Sequence, residues 1–471
     1  MQEPDRRAAR QSPFAFRFVK DCKANVAITF AIMMVPAVYL LGMVLDYTQA
    51  QRRQSQLDAA ADAAAISAVT PSMMAQSVTV AQTTATNIFN ATANAIGNGL
   101  SAAPSLTVTV GNTGLVRTAT VSYTAKSSNN FPGVLSNRAW SIQGTSTASA
   151  SGAPNINFYL LLDDSPSMAI GATPNDIQTL VNATPSQSGG CGFACHQSNP
   201  AVDNLGNPHG WDNYTYARSL GVTLRIDLVA QAVANLMSTA QSEAQQNNNT
   251  YKAAIYTFDY GFNTIYAPSG LPSANLSTAA SQAASNIQLL EVYSNNWLTS
   301  TNNNSDTDTN IENALSSVNG VMPAPGGGTN QTGDTPQEVV FLVTDGVDDM
   351  FVKYKTSCTG TPLAVGSQYR CQQSVNASNT PTNSICTTIK NRGIRIAVLY
   401  TEYLQLPTNP WYNSYIAALN NPSPSTGQIA QSLQACASPG LFYDVQSGGD
   451  ITAALNALFQ KVVATAPHLT Q

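Results

Sequence analysis

Val26 to Leu45, twenty consecutive residues without a charge, constrain this 471-residue chain more than any other stretch of it. As a helix the run spans about 30 Å of hydrocarbon. A helix is the form a lone segment must take there, because lipid offers no partner to backbone N–H and C=O groups. Pro36 lies inside the run, as membrane helices tolerate. Arg6, Arg7, Arg10, Arg17, Lys20 and Lys23 precede it, and only Arg52 and Arg53 follow closely. Residues 1–23 are therefore expected in the cytoplasm and everything after Asp46 outside it. A cleaved signal peptide has an apolar core of roughly 7–15 residues and a small-x-small site. Here the core is longer and Asp46-Tyr47-Thr48 follows it directly, so residues 24–45 read as a retained single-pass anchor.

Cysteine placement agrees with export. Cys22 precedes the span, and Cys191, Cys195, Cys358, Cys371, Cys386 and Cys436 follow it. An even number in an oxidising compartment points to disulfides, although the count alone does not choose the pairs. The preferred set is Cys191–Cys195 and Cys358–Cys371, each close in sequence, with Cys386–Cys436 tying one helix to the next. The string Cys191-Gly-Phe-Ala-Cys195-His196 has two other readings. A c-type haem site needs two residues between the cysteines, not three, and zinc with His196 or His209 stays open. His468 reads as inert. Charged residues make up only 10% of the chain and the net charge is -5, so there is no basic footprint for nucleic acid.

Three short strings lie at the ends of apolar runs. Asp163-Asp164-Ser165-Pro166-Ser167 follows Ile156–Leu162, Thr309-Asn310-Ile311 opens a helical pattern, and Thr344-Asp345-Gly346 follows Glu338–Val343. Alternation of such buried strands with helical segments predicts an α/β fold, doubly wound around a mostly parallel, Rossmann-like sheet. In such a sheet the carboxyl ends of the strands converge on one crevice. Two carboxylates and three hydroxyls there form an all-oxygen set for a small, hard divalent cation.

D-x-S-x-S, a Thr at a helix start and T-D-G together resemble the metal-ion-dependent adhesion site of von Willebrand factor A domains. Position by position, the resemblance places the ligands on Asp163, Ser165, Ser167, Thr309 and Asp345. It implies Mg²⁺, with Mn²⁺ or Ca²⁺ possible, and a coordination position left open for an acidic side chain of a protein partner. Pro166 stands where the family usually has Gly, and Asp306 and Asp308 stand where a Gly pair is usual. Asp164, Asp348 and Asp349 add carboxylates that either raise cation affinity or form a solvated rim.

Residues 46–152 form a separate region. Asp46–Val69 continues the helix, with Leu57, Ala60, Ala61, Ala64, Ala65 and Ala68 as a small-residue stripe that reads as packing against the chain's own sheet. Leu106–Val110 and Ala119–Tyr123 alternate as strands, and Thr145–Pro154 reads as a linker. Phe18-Val19-Lys20-Asp21, Asp46-Tyr47-Thr48-Gln49-Ala50 and the Ala-rich Leu57–Ala65 resemble the TadE/TadG-like N-terminal region of Flp (Tad) pilus-assembly proteins. A von Willebrand A domain after such a region is similar to the TadG-like members. The resemblance implies a small α+β pilin-like stalk, a bacterial inner-membrane location with the C-terminal domain in the periplasm or outside, and pilus-assembly or envelope subunits as partners.

The A domain is expected over residues 153–467, with insertions at about 171–223 and 347–383 beside the crevice, where loops carry recognition. Enzyme signals are weak. Gly328–Thr335 has P-loop glycine spacing, but Asp334 replaces the Lys. Asp306–Asn310 begins like an EF-hand loop, yet Ile311 and Ser317 stand where Gly and Glu are required. The expected function is a non-enzymatic, membrane-anchored envelope protein that binds a partner through a metal ion in pilus assembly or anchoring. The alternatives are a surface adhesin for host or matrix protein and, from another class, a metal-dependent hydrolase.

Overall fold

The structure, a computed structural model, describes residues 24–131, 139–185, 190, 192, 197–198, 212–247, 249–292, 309–329, 333–365, 367–375, 384–406, 409–446 and 448–463. These residues divide into two compact units, one up to Ala150 and one from Ser151.

The first unit is built on α1 (Ala24–Ala68), about 68 Å long at the α-helical rise. Its character changes along its length. The apolar side chains from Val26 to Leu45 are exposed, whereas Leu57, Ala60, Ala61, Ala64, Ala65 and Ala68 are buried. The first stretch is long and apolar enough to cross a membrane. The second packs on α2 (Val78–Asn94) and on a three-stranded sheet of β1 (Ser105–Thr113), β2 (Val116–Ser128) and β3 (Ala139–Ser151). Alanines let the helices approach closely enough for Phe89 and Tyr123 to fill the space between helix and sheet. Tyr123 donates to Asp58 Oδ1 at 2.7 Å, tying β2 to α1.

Thr145–Pro154 corrects the sequence reading, because most of it is strand, not linker. β3 runs to Ser151. Its hydroxyls pair across the sheet, Ser122 with Thr145, Thr120 with Thr147 and Thr118 with Ser149, at 3.0–3.1 Å. Such cross-strand hydroxyl pairs stabilise a sheet face that carries no apolar pattern.

The second unit holds a six-stranded sheet. Its strands are β4 (Ile156–Asp163), β5 (Tyr251–Phe258), β6 (Phe262–Tyr266), β7 (Gln337–Thr344), β11 (Arg395–Thr401) and β12 (Phe442–Val445), with three further strands in an insertion described below. Their order is β12-β11-β7-β4-β5-β6, parallel except for the β6 edge. Alternate residues of β4 face opposite cores. Phe158, Leu160 and Leu162 pack against the helices Arg225–Asn247, Leu276–Asn286 and Ile451–Val463; Tyr159 and Leu161 pack against Ile311–Val321, Ile385–Asn391 and Gln428–Cys436. This is the doubly wound, mostly parallel sheet that the alternation predicts. Cys386 and Cys436 are bonded and join two helices of the second face, and Cys358 is bonded to Cys371. Cys191, Cys195, His196, His209 and His468 lie outside the described residues, as do Asp306 and Asp308.

The insertion after Asp345 is structured. It forms a small antiparallel sheet of β8 (Val347–Val352), β9 (Thr361–Val365) and β10 (Gln368–Ser374), with β10 in the middle. Within it Asp349 pairs with Arg370, Nε donating to Oδ1 at 2.8 Å and Nη2 to Oδ2. Asp349 is thus in an ion pair instead of on a solvated rim.

Candidate metal centre

The chain order reverses around β4. From β4 it proceeds outward through β5 and β6, then returns to β7 on the other side. The crevice at such a switch point lies outside the carboxyl ends of the two central strands, and Asp163 ends β4 while Thr344 ends β7.

Asp163 is fully buried. Its Oδ1 accepts from the Ser165 backbone N–H at 3.1 Å and the Ser165 hydroxyl at 2.6 Å. Its Oδ2 accepts from the Thr344 hydroxyl at 2.6 Å. Ser165 Oγ lies 3.0 Å from Ser167 Oγ, and of these residues only Ser167 is partly exposed. Pro166 opens a short 3-10 turn, Pro166–Ala169. At that first position its fixed φ fits and its missing N–H is no loss, so with proline in place of glycine Ser165 still bonds Asp163 and Ser167 still meets Ser165.

Asp345 is also fully buried, and neither carboxylate oxygen has a hydrogen-bond donor at normal geometry. A buried carboxylate without partners is costly. Burial, reinforced by Asp163, lifts its pKa to about 7, against the pull of Ser167 and Arg225. Burial lifts Asp163 to about 6 despite its three donors. Asp164 is pushed well up by burial and by Asp259, and Asp348 by burial. Gly346 explains the last letter of its string. Its φ is +85°, and a Cβ there would stand 2.5 Å from Ile429 Cγ2.

Thr309 is held by its backbone. The helix begins at Ile311, with Asn310 as its cap. Thr309 instead pairs with Asp349 through two backbone hydrogen bonds, of 3.3 and 2.9 Å. It is buried, and among the described residues no hydrogen bond links its hydroxyl to the other four. Asp348, next to it, caps the helix by accepting from the Ile311 N–H at 2.7 Å.

Two features escaped the sequence reading. Thr344 holds Asp163 across the crevice. Arg225 is buried, donates to the Glu402 carbonyl, and faces the charge of Asp345. Its one sequence signal is position, since a cation in the first turn of a helix opposes the dipole and calls for a local reason.

Among the described residues no three His, Cys, Asp or Glu side chains gather into a metal-binding cluster. The set here is different: two carboxylates with hydroxyls, one carboxylate, Asp345, without a hydrogen bond of normal geometry. That chemistry fits a hard cation that keeps some of its waters and takes one or two carboxylates. The P-loop-like stretch has an ordinary role. Asp334 accepts from Gly327 N–H, both donors of Thr329 and Thr335 N–H, and so closes a turn before β7.

Residues 24–77 match the family model Tad, described as "Putative Flp pilus-assembly TadE/G-like". No curated protein matches the chain significantly. Among solved structures the chain is similar to the pilus adhesin SpaC from Lactobacillus rhamnosus GG, at 12% identity and TM-score 0.35, over 76% of this chain and 34% of that one. It thus spans about a third of SpaC. It is also similar to the vWF domain of the type V pili tip protein Mfa5 from Porphyromonas gingivalis, at 9% identity and TM-score 0.33, over 67% and 98%. A third is proximal thread matrix protein 1 from the mussel byssus with a zinc-occupied MIDAS motif, at 13% identity and TM-score 0.28, over 66% and 45%.

Proposed function

We infer, from an N-terminal segment that matches the Flp pilus-assembly TadE/G-like family and a second unit with an oxygen-lined crevice at its sheet's switch point, that this chain is a membrane-anchored, pilus-associated protein. In this reading it captures a protein partner through a divalent cation. The observation that carries the reading is Asp345, a fully buried carboxylate beside Asp163, Ser165 and Ser167 with no hydrogen bond of normal geometry, only the weaker pull of Ser167 and the Val347 N–H. A cation would satisfy Asp345 and offset the burial and mutual repulsion that raise the pKa of both carboxylates. Asp163, Ser165, Ser167 and Asp345 would hold it, with Thr309 as a further ligand, directly or through water.

The cation would be Mg²⁺, with Mn²⁺ or Ca²⁺ as alternatives, and it would supply an electrophilic point for an acidic side chain of the partner. The chain's own residues position it: Thr344 and Ser165 fix the Asp163 carboxylate, and Arg225 balances the charge of Asp345. Ser165 donates its hydroxyl to Asp163, and in this reading it would meet the cation as a neutral ligand. The role in this reading is a non-enzymatic one, in assembly or anchoring of a pilus at the inner membrane, with the second unit outside the cytoplasm. The test is affinity capture with the full-length chain from its own cells, with and without EDTA. Pilus-machinery subunits captured only when divalent cation is present support the reading, and capture unaffected by EDTA contradicts it.

A further inference from the structure

The apolar half of α1 does not end at a bare polar cap. Asp46, the first charge after the span, is only 4% exposed. Its two oxygens accept from the backbone N–H groups of Asn130 and Phe131, at 2.7 and 3.0 Å. Further along the helix, Arg53 donates to Ser127 Oγ and to the Ser128 carbonyl, both at 2.7 Å. Residues 127–131, leaving β2, are thus held against α1 and run back along it toward the apolar half.

Phe131 ends that path over Gly42. A Cβ on Gly42 would stand 3.1 Å from the Phe131 ring. Gly42 lies inside the apolar run, about 5 Å below its outer end at Leu45. Phe131 remains 45% exposed there. Tyr47, 51% exposed, meets Trp140 edge to face at 5.8 Å. Asp46 can sit at this depth because two N–H donors replace its water.

We propose that Phe131 enters the interfacial layer of the bilayer, and that with Tyr47 and Trp140 it forms a lipid-facing anchor that seats the end of the sheet on the membrane. The partner is a phospholipid surface. The surface is continuous with the exposed apolar side chains of Val26–Leu45, and rings of this type favour the boundary between acyl chains and headgroups. The anchor would hold the first unit at a fixed height and tilt. This inference rests on Val26–Leu45 being a membrane span.

The test uses the full-length chain in phosphatidylethanolamine/phosphatidylglycerol vesicles, with the photo-reactive residue p-benzoylphenylalanine placed singly at 40, 131 or 116. Leu40 reports the span, Phe131 the anchor, and Val116, at the other end of β2, the water-exposed surface. Illumination is expected to yield lipid adducts at 40 and 131 and none above the dark control at 116, read by intact mass. Adducts at 40 without adducts at 131 overturn the anchor and leave the span standing. No adducts at either position overturn the span and the anchor together. Equal adducts at 131 and 116 overturn the anchor as a specific site.

Discussion

Thr344 donates its hydroxyl to Asp163 Oδ2 at 2.6 Å, although 181 residues separate them in sequence. That bond joins the ends of the two central strands and gives Asp163 a structural duty as well as its proposed ligand duty. Asp163→Ala would strand the Thr344 hydroxyl and the Ser165 N–H in a buried site, while the Ser165 hydroxyl keeps Ser167 as a partner. An unfolding cost of about 2–4 kcal/mol is expected from unsatisfied buried donors. Asp345 carries no such bonds. Asp345→Asn relieves repulsion with Asp163, so in EDTA it should be at least as stable as the native chain. Urea unfolding of both variants in EDTA checks the contrast; equal losses would contradict it.

Glu338 provides a pH test away from the crevice. It is buried on β7 and accepts from Asn157 Nδ2 at 2.9 Å. Burial raises its pKa from 4.5 to about 7. The unfolded chain releases this proton near pH 4.5 and the folded chain near 7. Its contribution is therefore fully present below about 4.5 and is lost as pH rises through 7. The loss is on the order of 3 kcal/mol at most. Glu338→Gln keeps the hydrogen bond without the charge. The difference in unfolding free energy between variant and native chain should grow in the variant's favour from pH 5 to pH 8. A pH-independent difference would sink this assignment.

The Cys386–Cys436 bond closes a separation of 50 residues between two buried helices. Chain entropy alone assigns such a loop about 4 kcal/mol. The double variant Cys386→Ala/Cys436→Ala should lose roughly 2–4 kcal/mol in urea unfolding. The Cys358–Cys371 bond closes a shorter separation, of 13 residues, in the small insertion sheet, so the double variant Cys358→Ala/Cys371→Ala should lose less. Equal stability of the native chain under reducing and oxidising conditions would contradict both.

The charges on either side of Val26–Leu45 set the orientation to be tested. Protease added to spheroplasts should digest the second unit and leave a membrane-held N-terminal fragment. Full protection of the second unit would reverse the topology.

The sheet was legible because its buried parallel strands are continuous apolar runs, and Asp163 and Asp345 stand where such runs break into polar turns. β3 was not legible, since a strand stabilised by Ser and Thr hydroxyl pairs has a linker's composition. The insertion after Asp345 reads as loop in sequence: sequence proximity points to the Cys358–Cys371 bond, but the Asp349–Arg370 pair that helps order the sheet is fixed only by folding. Thr309 was read as a helix start, but the helix takes Asn310 as its cap, and Thr309 is drawn into a bridge with Asp349 that no local pattern encodes. Arg225 was missed for the same reason, as its partners lie on distant strands.

The central claim is that Asp163 and Asp345 together hold a divalent cation. Calorimetric titration of Mg²⁺ or Mn²⁺ into the full-length chain, freed of metal and held in detergent, tests it most directly when run beside Asp345→Asn. The account predicts a saturable single-site isotherm for the native chain and none for the variant, with the variant's unfolding midpoint in EDTA undiminished. Absence of binding by the native chain, or an unchanged isotherm in Asp345→Asn, would contradict it.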